Sequence, residues 1–527
     1  MIGTFRQSMA WLHTWAGLIF CWILYFLFVT GTLGYFDSEI DRWMKPEHTA
    51  PQHASLDHSA AVGMQRLEQE AVGADNWTIR FTNGREVPHL RVIWRGPEPE
   101  EGEERIAGNE RLDLRTGEPL PEDVRETGGG QVLYRMHYSL HYLDRQAAFR
   151  FMGVVAMFMF IGLITGIITH RKIFKDLFTF HPERGRRSWL DMHNLLSVSS
   201  LPFQLMITYS GLLFTVTIWM PAIAVGSYGF DLETVADELG SLAQVQIERE
   251  GTEAVLTDVQ PLLADAVALW GEDQVDGLDV RFPGDANARV ILSRSPGVGV
   301  VGQQRVYDGV SGEYLETIDP TTRAPIAVAS VMIGLHEGLF AGPLLRWLYF
   351  ISGLLGAGMV ATGAIYWTAK RKKKALPYEA QSRSYRFVES LNVGTILGLP
   401  IGIAAYFWAN RLLPLGMEGR ADWEIHCLFL AWALCLLYPL TRPSRVAWRE
   451  LAWLAAFAFG ALPIVNAATT DAHMVNSLRS GDWVLAAFDG TALAFGLIFA
   501  GLAAELGRRR AKAERAAVQT PRAVGVP

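Results

Sequence analysis

Cysteine is nearly absent from the 527 residues: Cys21, Cys427 and Cys435 all lie in or beside apolar runs. No CxxC pair and no disulfide framework can be drawn from them, so they read as packing residues. Charge is scarce as well, at 19% of residues. Uninterrupted apolar runs longer than ~18 residues recur, which excludes an ordinary soluble domain and marks a polytopic membrane protein. Walker A, zinc-ligand and nucleophile-elbow patterns are all missing. GVGVVG (297–302) fits GxGxxG but sits in an outer loop rather than between a strand and a helix, so a glycine-rich turn is the better reading. The apolar run from Trp11 to Phe36 is too long for a signal-peptide core and has no small-residue cleavage site, so it reads as a retained anchor.

Candidate spans fall at about 11–36, 150–169, 193–220, 344–368, 388–410, 425–440, 451–468 and 484–506. Basic residues crowd alternate loops: Arg171, Lys172, Lys175, Arg184, Arg186 and Arg187 after the second span, and Lys370 to Lys374 after the fourth. Arg442, Arg445 and Arg449 follow the sixth, and Arg508, Arg509 and Arg510 the eighth. By the positive-inside rule these loops and both termini are cytoplasmic. The long segments 37–149 and 221–343 then lie on the outer side. Each offers an amphipathic helical stretch, Ala60–Val72 and Val255–Trp270. Alternating strand-like runs follow, WTIRF, HLRVIW and RLDL in the first and LDVRF and ARVILS in the second. EPEEGEE (98–104) reads as a solvated hairpin tip. The expected fold is a polytopic α-helical membrane protein of about eight spans with two duplicated α+β modules. Its parts are the first span (1–36), module one (37–149), spans two and three with their basic loop (150–220), module two (221–343), span four and its basic loop (344–375), four additional spans (388–506) and a cytoplasmic tail (507–527).

Internal offsets support the duplication. Asp113, Gly117, Glu118 and Leu120 stand 195 positions before Asp308, Gly312, Glu313 and Leu315, and His141 stands 195 before His336. His13 and Gly31 stand 180 before His193 and Gly211. Membrane-embedded ionisable residues are costly and usually face a bundle interior. His13 and His193 lie at the cytoplasmic ends of their spans, whereas His141 and His336 lie just outside the outer ends of theirs. One pair thus gathers at each membrane face, and neutral imidazoles on facing helices suit the axial positions of a haem iron. Two haems, one per face, would carry electrons across the bilayer. His137, one turn before His141, competes with it, and His170 competes with His13 or His193. His426 and His473 read as structural or substrate-side residues, and His48, His53, His58 and His89 as surface. No span beyond the fourth shows a paired intramembrane charge.

The stretches WLHTWAGL, TGTLGYFDSEIDRW, YRMHYSLHYLD, GIITHRKIFKDLFTFHPERGRRSWLDMHN, LPFQLMITYSGL and GLHEGLFAGPLLRW together resemble the PepSY-associated transmembrane family, over about residues 1–375. That resemblance implies an inner-membrane protein with two periplasmic PepSY modules, linked to iron uptake. Some family members are similar to di-haem ferric-siderophore reductases, in which membrane histidines hold haem b. By position the role falls to His13, His141, His193 and His336, with His137 and His170 as further motif histidines. Gln204 stands in LPFQL where the family pattern leads one to expect histidine, and the four additional spans lie outside the resemblance.

The expected function is an oxidoreductase that passes electrons through two b-type haems to a periplasmic ferric siderophore or other ferric chelate. A cytoplasmic reductant or a quinol would donate them, within the lipid bilayer and with no nucleic-acid partner. No catalytic residue separate from the haems is expected. An iron-chelate permease and a non-catalytic PepSY sensor or scaffold are the alternatives.

Overall fold

The computed structural model describes residues 4–47, 54–82, 89–97, 105–120, 124–170, 185–215, 247–373, 376 and 380–519. The EPEEGEE stretch and the basic residues Arg171, Lys172, Lys175 and Arg184 lie outside these. The chain forms two compact units, one helical and one built on a sheet.

The helical unit begins with α1 (Phe5–Gly34), capped at Thr4 by a reciprocal pair of hydrogen bonds with Gln7. At about 1.5 Å per residue, α1 exceeds the ~30 Å of a hydrocarbon core. The short α2 (Asp37–Met44) follows, and α4 (Gly129–Tyr138) leads into α5 (Arg145–Thr169). Next come α6 (Arg186–Ser199), α7 (Leu201–Leu213) and α10 (Pro343–Arg371). α1 packs between α5 and α10, and α6 packs on α10. The small-residue run 353–363 permits the α1–α10 approach. A Cβ at Gly353 would lie 2.2 Å from Thr32 Oγ1, and one at Gly356 2.6 Å from the Phe28 ring.

Among the described residues, seven helical segments are long and apolar enough to cross a membrane, and α6 with α7 makes an eighth if the bent pair counts as one span. The third expected span, 193–220, falls on α6 and α7, which bend by 68° where they meet at Ser200. Pro202, in the first turn of α7, is the cause, because it has no N–H to give and its ring clashes with the carbonyl four residues back.

The last helices are α11 (Arg383–Ile396), α12 (Gly398–Leu412), α13 (Arg420–Leu437), α14 (Ser444–Gly460), α15 (Leu462–Thr469), α16 (Met474–Ser480) and α17 (Trp483–Gln519). The expectation that they lack paired charges is wrong. Arg420 and Glu424, one turn apart on α13, form a fully buried ion pair. Asn410 donates to Glu424 at 2.8 Å, and the Thr127 hydroxyl donates to the same carboxylate. Arg411 donates to Asn466 at 2.8 Å and lies 3.7 Å over the Trp43 ring, while Trp43 Nε1 donates to Asp489 at 3.0 Å. Arg125 pairs with Glu47 at 2.7 Å. Pairing satisfies these buried charges and fastens α2 and the start of α4 to the C-terminal helices.

The sheet unit contains α3 (Leu56–Glu70), β1 (Asn76–Arg80), β2 (Leu90–Arg95), β3 (Ala107–Leu112), α8 (Gln260–Trp270), β4 (Val275–Arg281), β5 (Arg289–Arg294), β6 (Gln304–Asp308), β7 (Tyr314–Ile318) and α9 (Ala324–Glu337). Its strands run in the order β3-β2-β1-β4-β5-β6-β7, every neighbouring pair antiparallel. The two expected modules therefore share one sheet, joined where β1 pairs with β4 through Trp77↔Val280 and Ile79↔Leu278. Leu67 of α3 and Leu263 of α8 enter the same core as Ile79, Val92, Leu278 and Leu292. His89 is buried here, not on the surface. Module one is also shorter than expected, since α2 and α4 belong to the helical unit.

The duplicated motif builds the same turn twice. The Gly117 amide donates to the Asp113 carbonyl at 2.8 Å and Asp113 N to Glu118 O at 2.9 Å. Gly312 N to Asp308 O at 3.0 Å and Asp308 N to Glu313 O at 2.8 Å repeat the pattern. Both glycines are left-handed, at φ 74° and 76°, which explains the residue type at these positions. GVGVVG packs on α9, where the Val300 and Val301 amides donate to the Ser330 hydroxyl at 2.9 and 3.1 Å. It is a loop that supports a helix, in no βαβ context.

Candidate functional site

Each membrane histidine is placed by a neighbouring helix through the same device, a backbone or hydroxyl oxygen plus a glycine one turn or less away. His13 on α1 lays its ring against α5. Its Nδ1 is 2.9 Å from the Gly162 carbonyl, and a Cβ at Gly166 would come 3.3 Å from its Cε1. His193 on α6 repeats this on α10, with Nδ1 2.8 Å from the Met359 carbonyl and a Gly363 Cβ position 3.1 Å from Cε1. The partners keep their own offset, since 359 − 162 and 363 − 166 are both 197. A carbonyl can only accept, so Nδ1 carries the proton in both rings and Nε2 carries the ligating lone pair.

The two rings meet edge to face in the helical unit, with centroids 6.2 Å apart and planes at 63°. Two imidazoles on opposite sides of one metal ion, each nitrogen about 2 Å from the metal and about 1.1 Å from its ring centre, would stand about 6.2 Å apart. The donor set and spacing thus fit one metal between His13 and His193. Among the described residues, no group of three or more His, Cys, Asp or Glu converges on a metal position. A pair of imidazoles therefore suits a metal whose other ligands come with it, as in haem.

The glycine cradles separate the two competing histidines of the YRMHYSLHYLD stretch. His137 on α4 lies against α1, its Nδ1 2.9 Å from the Leu27 carbonyl, and a Cβ at Gly31 would fall 2.5 Å from that nitrogen. His336 on α9 lies against Ser210 and Gly211 at the end of α7, which belong with it to the sheet unit. Its Nδ1 is 3.0 Å from Ser210 Oγ, and a Gly211 Cβ would lie 3.0 Å from its Cε1. Gly31 and Gly211 are the repeat-related pair, so His137, not His141, has the environment of His336. His141 stands exposed in the turn after α4. Partial desolvation lowers its pKa, against the opposing charge of Asp422. The 195-residue offset pairs His141 with His336, whereas the glycine contacts pair His137 with it. The spacing of 18 from His13 to Gly31 and from His193 to Gly211 was legible in the sequence, but which histidine meets Gly31 was not. On α1 those 18 residues correspond to a rise of about 27 Å, close to the ~30 Å hydrocarbon thickness.

His170 ends α5, its amide bonded to the Gly166 carbonyl at 3.0 Å, one turn beyond the His13 cradle. Gln204 is fully buried, its Nε2 donating to the Ser352 carbonyl at 3.0 Å, so it ties α7 to α10. His426 bonds the Tyr142 hydroxyl at 2.7 Å. His48 and His53 lie outside the described residues.

The apolar helices, the doubled sheet and the histidine cradles define a multi-pass membrane protein built by internal duplication. The chain belongs to the PepSY-associated transmembrane region family, whose model matches residues 10–370. No curated protein matches the sequence.

Proposed function

We propose that the protein is a transmembrane ferric-chelate reductase carrying two b-type haems. It would act on a ferric siderophore or a similar chelate at the periplasmic face of the bacterial inner membrane, with both termini cytoplasmic. The observation that carries the reading is the His13–His193 pair, 6.2 Å apart with both Nδ1 protons committed to carbonyls. Haem b, when bound, supplies one-electron redox chemistry that amino-acid side chains lack. His13 and His193 would hold one haem. His137 and His336, each beside a repeat-related glycine, and His141 are the candidate ligands for the other. The carbonyls of Gly162, Met359 and Leu27 orient the rings and fix the tautomer, and the glycines let each ring lie flat on its helix. A cytoplasmic reductant or a quinol would be the electron source. Reduction of the chelated iron to Fe(II) weakens its hold on hard oxygen ligands, and the metal is released.

Paired charges in the C-terminal helices do not favour the permease reading, because they bond one another rather than standing open. The test is the visible spectrum of purified protein with a haem-to-protein ratio. Two haems per chain, with a Soret band that shifts on reduction, are expected. A colourless preparation from haem-replete cells refutes the reading.

A further inference from the structure

Four residues past His137 the chain turns between α4 and α5, and this turn carries His141 and Tyr142, which the histidine cradles leave unused. α13 brings Trp423, His426 and Phe429 to meet them. The Tyr142 hydroxyl is 2.7 Å from His426 Nδ1, and the two rings lie nearly parallel, centroids 5.8 Å apart and planes at 17°. Trp423 meets His426 edge-on at 5.4 Å. Phe429 backs the group, 5.0 Å from Tyr142 and 6.3 Å from His141. The outer surface of the cluster is open: Tyr142 is 58% exposed, Trp423 45%, and His141 is exposed too.

Membrane-interface anchoring accounts for exposed tryptophan and tyrosine. It does not account for two imidazoles and a phenol gathered in one stack directly after the helix that holds His137. In the tautomer in which the Tyr142 hydroxyl donates to Nδ1, His426 carries its proton on Nε2. That N–H, the Trp423 indole N–H and a ring N–H of His141 are donors for an oxygen-rich ligand, while the ring faces offer flat apolar contact. The charges that bear on His141 are Asp422 and Arg135, opposite in sign. Among the described residues, the formal charges acting on His141 are one anion and one cation, not a group of cations that would hold a polyanion.

Resting on the reductase reading above, we propose that His141, Tyr142, Trp423 and His426 form the docking site for the ferric chelate. The site selects oxygen-rich chelates of low net charge, such as a ferric trihydroxamate, over a highly anionic tris-catecholate. It also gives the C-terminal helices a part in the function, because α13 supplies half of the cluster.

The experiment uses gallium(III) trihydroxamate, which copies the ferric chelate in shape and charge but takes no electron. Binding to the full-length protein in lipid nanodiscs is measured by calorimetry. Saturable binding is expected, weakened by about tenfold or more in Trp423→Ala and in His426→Ala, since aromatic and hydrogen-bonding anchors dominate binding energies. Tyr142→Phe keeps its ring and should stay within about threefold, whereas Trp423→Phe keeps the ring but loses the indole donor and should fall between Trp423→Ala and the wild type. The gallium tris-catecholate should bind more weakly than the trihydroxamate. Haem content and visible spectrum, unchanged in all four variants, show that the helical unit is intact. Should an alanine variant fold poorly, the loss in a double Trp423→Phe, His426→Gln variant is read instead. Unchanged affinity in the alanine variants, or tighter binding of the catecholate, overturns the proposal and leaves the rings as interfacial anchors. A wild-type protein that lacks haem yet binds the gallium chelate through these residues refutes the reductase reading while supporting the docking site.

Discussion

Replacing Gly31 by alanine tests the cradle logic at its tightest point. The new Cβ would lie 2.5 Å from His137 Nδ1 and 2.7 Å from its Cε1. The ring must retreat by about 1 Å to reach an ordinary contact near 3.5 Å. Two opposing effects then set the stability. Alanine improves helix propensity by about 1 kcal/mol. A stretched bond from Nδ1 to the Leu27 carbonyl, 2.9 Å in the native protein, leaves a buried donor short of its partner and costs about 1–3 kcal/mol. The net destabilisation is therefore about 0–2 kcal/mol, and the fold survives. Ligand bonds are far less forgiving, because metal–nitrogen distances hold to about 0.2 Å. A displacement of about 1 Å removes His137 as a ligand. The assay is the haem-to-protein ratio with reduced-minus-oxidised spectra. About half of the haem should be lost, the remainder keeping the spectrum of the His13–His193 site. Gly17→Ala is the control, on the same helix but with no atom within 4 Å of the new Cβ; it should keep both haems and gain slightly in stability. Full haem content with unaltered spectra in Gly31→Ala would refute the assignment of His137.

Further outcomes are expected elsewhere. His193→Ala should remove the haem that Gly31→Ala spares, so the two difference spectra should sum to that of the wild type. Glu424→Leu leaves Arg420 buried and unpaired and should lower stability by about 3–5 kcal/mol, read as a fall in the unfolding temperature in detergent. The double variant Arg420→Met, Glu424→Leu should recover most of it. Reporter fusions at Lys373 and after Arg510 should both report the cytoplasm, as the basic loops demand; an outer-side signal at either would reverse the assigned faces.

Much of the fold was legible in the residues because membrane spans and strands are local patterns. Apolar length alone identified α1, α5 and α10, and alternation identified β1, β2 and β5. The repeated Asp-x-x-x-Gly-Glu turn was legible because a left-handed backbone needs glycine wherever it occurs. His13 and His193 stood out for a similar reason, since an imidazole in an apolar run requires an explanation. Three features needed the folded chain. The two modules merge because β1 and β4 are each other's free edges, and strand pairing at a distance leaves no mark in either segment. The charges of α12, α13 and α17 looked like isolated helix-end residues, because their partners lie up to hundreds of positions away, as Arg411 does from Trp43. The choice between His137 and His141 could not be made from spacing alone. It depends on which imidazole meets the Gly31 face of α1, and that is decided by the direction in which α4 leaves the buried ion pairs at its start. Sequence marks the residues that are expensive to bury, and tertiary packing selects which of them share a site, because a metal pair depends on ångström-scale positions that no local pattern encodes.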